Sequence, residues 1–247
     1  MRKSVFILLC SVMIFSCTTK NSVNPFFEEF QTDYGVTPFD KIEMEHYEPA
    51  FTKGMEEEYD NIKAIVKNPE APTFDNVIGA MDNSSPILDR VSGVFFNMTS
   101  AENTPELNEL YIKLSPKLSE HGDNIYLNAD LFQKIKTVYE QKDSENLTTE
   151  QLTLLDRTYK NFVRRGANLN EEDQVRLREI NKELSLLGIQ FSNNILKGDG
   201  EYQLVVDNKE DLSGLSADFI TSAAHEATDA GLEGKWVLKL KNTSRLP

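Results

Sequence analysis

Between residues 170 and 196 apolar side chains return at helical intervals. Ile180, Leu184, Leu187, Phe191 and Ile195 are spaced 4, 3, 4 and 4, which draws one stripe along a helix, while Arg176, Glu179, Lys182 and Glu183 point elsewhere. Asn170 is a good N-cap, and Glu171, Glu172 and Asp173 complement the positive end of the helix dipole. The preceding segment repeats the pattern with Leu152, Leu155, Tyr159 and Phe162. Thr148 or Thr149 caps it, Arg164 and Arg165 occupy its last turn, and Gly166 stops it. The two segments predict an antiparallel helical hairpin joined around residues 166–169.

Further helices are predicted near 46–66, 73–100, 105–120 and 128–141, punctuated by Pro69, Pro72, Pro105 and Gly122. Pro86 and Pro116 lack the backbone donor and are expected to break or kink their helices. Two stretches depart from helical period. E-Y-Q-L-V-V (201–206) and K-W-V-L-K-L (235–240) are rich in aromatic and β-branched residues and read as paired strands. Between them Ser216–Ala230 reads as a helix ended by Gly231. The fold class is therefore mainly α with one small two-stranded β element, without internal repeats.

Composition changes this picture at the N-terminus. Arg2 and Lys3 precede an apolar run, residues 5–15, that is too short for a bilayer core, which needs about 20 residues. A signal peptide over 1–16 fits it. The run ends I-F-S-C, which resembles a lipobox and makes Cys17 the expected site of lipid attachment; ordinary cleavage near Ser16 is the alternative. Residues 17–35 then form a tethered linker and arm, and 36–247 the helical domain. An exported lipoprotein held at the membrane and facing the periplasm follows as an expectation. Removal of Cys10 with the signal leaves Cys17 alone, so packing and not a disulfide must stabilise the fold. The formal net charge of −14 argues against nucleic acid as a partner.

Candidate chemistry is sparse. His225-Glu226 begins an H-E-x-x-H zinc motif, but Asp229 holds the position of the second histidine. Positions i and i+4 share a helix face, so His225 and Asp229 could both reach a metal; a catalytic zinc needs a third protein ligand and an open position. The small-residue surroundings, A-A-H-E-A-T-D-A, favour a solvated helix face. His46, among acids on a first helical turn, reads as a capping or packing residue. His121, before Gly122, is expected to help end its helix. No G-x-S-x-G, glycine-rich phosphate loop or C-x-x-C is present. Sequons at Asn83, Asn97, Asn146 and Asn242 carry little weight beside a bacterial lipobox. No catalytic or metal-binding residue is assigned.

Several segments together do carry a likeness. They are P-F-D-K-I-E-M-E-H-Y-E-P-A-F (38–51), N-P-E-A-P-T-F-D-N (68–76), L-D-R-V-S-G-V-F-F-N-M-T-S-A (88–101), P-K-L-S-E-H-G-D-N-I-Y-L-N (116–128), R-R-G-A-N-L-N-E-E-D (164–173), L-S-G-L (212–215) and G-L-E-G-K-W-V-L-K-L (231–240). From about residue 24 onward the chain resembles the N-terminal part of the zinc oligopeptidase family, which includes peptidyl-dipeptidases, oligopeptidase A, thimet oligopeptidase and neurolysin. The resemblance implies a helical N-terminal domain of a neurolysin-like metallopeptidase that encloses short peptides. It implies zinc on an H-E-x-x-H helix beyond the matched region, and hydrolysis that releases C-terminal dipeptides. No H-E-x-x-H occurs here, so the chain alone is expected to bind no catalytic zinc, to be inactive, and to want a C-terminal catalytic half. The alternatives are a stand-alone lipoprotein serving as a peptide-binding or scaffolding module, and a new metal site of His225 with Asp229.

Overall fold

The computed structural model describes residues 23–240. The expected signal, Cys17 and the sequon at Asn242 lie outside the described residues. The chain forms α1 (Met44–Lys67), a π-helical turn (Phe74–Gly79) running into the short α2 (Ala80–Asp82), α3 (Pro86–Ala101), α4 (Pro105–Tyr126), α5 (Ala129–Gln141), α6 (Thr149–Arg164), α7 (Glu171–Glu201), β1 (Leu204–Val206), α8 (Ala217–Asp229) and β2 (Trp236–Leu238). This is the mainly α architecture with a two-stranded antiparallel ribbon. Among the described residues no helix is long and apolar enough to cross a membrane.

Helix ends follow local chemistry closely. Thr148 is the cap of α6: its hydroxyl accepts from Gln151 N at 3.3 Å, and the Gln151 side chain accepts from Thr148 N at 2.9 Å. Asn170 Oδ1 accepts from Asp173 N at 2.9 Å to open α7. Glycine closes α6 and α8 in the same way. Gly166 and Gly231 have φ of 97° and 71°. Gly166 N donates to Val163 O and Ala167 N to Phe162 O, and Gly231 N and Leu232 N repeat this on Thr228 O and Ala227 O. Both are Schellman motifs, whose left-handed residue suits glycine.

The apolar side chains gather in two clusters joined by α1. Its first half places Tyr47, Ala50 and Phe51 against Phe26, Val91, Phe95 and Leu114. Its second half places Ile62 and Ile65 against Phe74, Val77, Ile135, Val138, Leu155 and Phe162. Phe26, from the short turn Pro25–Phe27, is fully buried, and the Arg90 guanidinium donates to its carbonyl at 2.5 Å. The arm is thereby fastened to the core.

Four expectations are corrected. The single helix expected over 73–100 is broken: Ser84 and Ser85 turn the chain before Pro86 starts α3, and residues 74–79 take π rather than α geometry. Pro86 thus acts as anticipated, whereas Pro116 does not break α4, which continues through it. Nor do His121 and Gly122 end α4, which runs to Tyr126. Gly costs a helix interior about 1 kcal/mol, and cross-helix contacts from this segment offset it. His121 Nε2 lies 2.6 Å from Glu58 Oε2 on α1, Asn181 Nδ2 of α7 donates to Asp123 Oδ1 at 2.7 Å, and Arg178 of α7 donates to Asn124 Oδ1 at 2.9 Å. Finally, α6 and α7 do not form a packed hairpin. The stripe of α6 is taken up by α5 and the π turn, and α7 lies along α4.

The ribbon pairs Leu204 with Leu238, Val205 with Val237 and Val206 with Trp236. Two strands of three residues are marginal alone. Val237 is buried, as are Ala223 and Ala227 of the neighbouring α8, and Lys239 is ion-paired with Glu226.

Gly54 sets the spacing of α1 and α3. A Cβ there would sit 2.7 Å from Leu88 N and 2.8 Å from Leu88 Cα. Helical Gly→Ala ordinarily stabilises by about 0.5–1 kcal/mol, and Gly93→Ala at an exposed position of α3, with nothing within 4 Å, should do so. Gly54→Ala should instead destabilise by roughly 1–3 kcal/mol through overpacking; urea midpoints of the two variants should move in opposite directions.

Candidate functional site

The three histidines occupy three separate places. His46 is the third residue of α1 and is buried; its Nδ1 accepts from Glu43 N at 2.9 Å, closing a capping box, while Asn24 Nδ2 donates to its carbonyl at 2.7 Å. It is the capping and packing residue that its setting implied. His121 pairs with Glu58 between α1 and α4. His225 is exposed on α8, and so is Asp229 one turn later. Glu226 turns the other way to the ammonium of Lys239, the residue after β2. The half-motif therefore splits: one member braces the ribbon and the other two face solvent.

A catalytic zinc requires three protein ligands converging on one point. Among the described residues no group of three His, Cys, Asp or Glu side chains does so. The residues present do not fit the metal that the resemblance implies, and no catalytic step is assigned to them.

The described residues form several hollows, and two that gather charged side chains lie beside α4. The larger, about 1000 Å³, runs between α1 and α4 and is lined by Glu45, Glu48, Glu56, Glu106, Glu109, Lys53 and Lys113. Lys113 Nζ lies 2.7 Å from Glu48 and Lys117 Nζ 3.6 Å away. The Lys113 hydrogen bond, foremost, holds the Glu48 carboxyl below the usual carboxylate range. The trough is exposed and acidic, so it draws cations weakly under screening. The smaller, about 450 Å³, lies where α4, the end of α6 and α7 meet, with Asp123, Arg164, Arg165 and Asn181 in its wall. The Arg165 guanidinium sits 4.2 Å over the Tyr126 ring. Burial pushes the Asp123 carboxyl up, opposed by the Asn181 hydrogen bond and by Arg178 and Arg165. This corner fastens three helices. Neither the Asp123–Asn181 bond nor the His121–Glu58 pair has a local sequence signal, since the partners lie 58 and 63 residues apart.

With geometry pointing to support rather than to chemistry, likeness to known proteins becomes informative. The chain is 38% identical to dipeptidyl carboxypeptidase of Salmonella typhimurium over 226 residues, 92% of this chain and 33% of that protein. The Escherichia coli dipeptidyl carboxypeptidase is 36% identical over the same shares. The chain is thus similar to the dipeptidyl carboxypeptidases over nearly all of its own length. Oligopeptidase A of Escherichia coli matches at 29% over 87% of this chain and 32% of its own length. No protein-family model matches. The chain spans about a third of the length of the curated relatives it matches. The dipeptidyl carboxypeptidase likeness thus takes in nearly all of this chain.

Because the folded state raises the Asp123 pKa, the ionised form costs stability above that value, and the cost disappears as pH falls and the carboxyl is protonated. Asp123→Asn keeps an acceptor for Asn181. It should leave the chain as stable as wild type or more so at pH 7, with the difference vanishing below the ordinary aspartate range near 4. Urea titrations at the two pH values check the sign.

Proposed function

We propose that this chain is the N-terminal helical portion of a zinc-dependent peptidyl-dipeptidase, a wall of the peptide-enclosing body rather than the part that cuts. The match to dipeptidyl carboxypeptidase across 92% of the chain carries this reading. The scattered histidines support it, since zinc and its ligands would then come from polypeptide outside residues 1–247. Short peptides ending in a free carboxylate are the substrates of the completed enzyme. On its own the chain hydrolyses nothing.

The second reading, a stand-alone peptide-binding or scaffolding module, draws on one observation. Both apolar clusters are closed within the described residues, and no buried side-chain polar atom there lacks a hydrogen-bond partner. Under either reading the chain is exported and tethered to a membrane through a lipid at Cys17, facing the periplasm.

The purified chain, supplied with zinc and an N-blocked tripeptide, should release no dipeptide; turnover that a chelator abolishes would overturn the proposal. For the tether, Cys17→Ala should move the protein from the detergent-extracted membrane fraction to the soluble periplasmic fraction, with loss of the lipid mass from its N-terminus. An unchanged distribution and mass would refute the lipid anchor.

A further inference from the structure

The apolar stripe of α7 faces away from the helix that holds it. Against α4, α7 turns Arg178, Asn181, the Ser185 carbonyl and Asn193, which bond to Asn124, Asp123, Ser115 and Asn108, and it buries only Ile189. The stripe is left in water: Leu184 is 58% exposed, Leu187 47%, Phe191 67% and Ile195 47%, with Ile180 at 37%. Isolated apolar side chains on a surface are ordinary. Five in register along one helix make a contiguous patch, which marks an interaction surface.

From this face, and resting on the reading of the chain as part of a longer peptidase, we infer that the α7 stripe is the docking surface for the portion of a dipeptidyl-carboxypeptidase-like polypeptide that this chain does not match. The extent of the patch selects that occupant over a second copy. A stable interface between separate proteins takes about 20–30 residues a side, whereas the stripe offers five anchors over about 22 Å of helix, at 1.5 Å per residue. So narrow a surface closes well only when the partner is held close by the same chain, where linkage supplies a high effective concentration. The relatives, three times as long, contain such polypeptide. The occupant therefore presents a complementary apolar face, and the polar attachment to α4 keeps α7 in place until it arrives.

The test co-expresses the full chain with the part of Escherichia coli dipeptidyl carboxypeptidase outside the matched third. A 1:1 complex on size exclusion is expected. The double variant Leu184→Lys with Phe191→Lys should lose it, while Val175→Lys, exposed but off the stripe, should keep it. Unchanged far-UV helicity of the variant chain separates lost docking from lost folding. A complex that survives the double variant overturns the stripe as the docking surface and leaves the peptidase reading standing. No complex with wild type overturns both. A homodimer of the isolated chain that the double variant dissolves also overturns the inference, by giving the stripe a second copy as its occupant.

Discussion

The close approach of α1 to α3 at Gly54 is the constraint on which the remaining architecture depends. With a hydrogen in place of a side chain, the backbone of Leu88 can sit where a Cβ would otherwise be. That spacing lets Phe51 meet Phe95 edge to face at 5.3 Å and Tyr47 meet Phe95 at 5.2 Å. From there α1 continues to its second half, where Ile62 and Ile65 enter the other cluster. One helix thus serves two cores. Displacing it by even a methyl group would disturb both, because close-packed interiors transmit such strain.

From that spine outward the interactions change in kind. Around α1 they are apolar and buried; at α7 they are hydrogen bonds between partly exposed groups. Such bonds contribute about 0.5–1.5 kcal/mol each, less than a buried Phe or Leu side chain at roughly 1.5–3. α7 is therefore the more weakly held of the long helices, and its richest apolar side is turned outward. The acidic trough between α1 and α4 and the Asp123 corner are likewise structural in character. Glu48 is met by two lysines and Asp123 by arginines and an amide, and among the described residues no converging set of ligands is assembled.

Much of the fold was legible because its signals are local. The caps Thr148 and Asn170, the glycine stops at 166 and 231, the break at Pro86 and the extended character of each short strand all follow from groups within a few residues of one another. The rest was decided at long range. Gly122 looked like a terminator because helix propensity is all a single segment reveals; Glu58, Asn181 and Arg178, at 54–63 residues from their partners, hold the helix together through it. The π geometry of 74–79 has no periodic signature that separates it from an ordinary helix. At the half-motif, spacing could place His225 and Asp229 on one face, but only the fold could reveal that Glu226 belongs to Lys239.

The sequence by itself determined most of the elements, several of their ends, the mainly α class and the likeness to dipeptidyl carboxypeptidase, because periodicity, capping and residue identity are carried by neighbours along the chain. Tertiary structure alone decided which face of each element is inside. The stripe of α7 is as regular as that of α6, yet α6 buries Leu155 and Phe162 while α7 leaves Leu184 and Phe191 in water. An amphipathic pattern states that a helix has an apolar side; whether anything covers that side depends on what the rest of the polypeptide brings within reach.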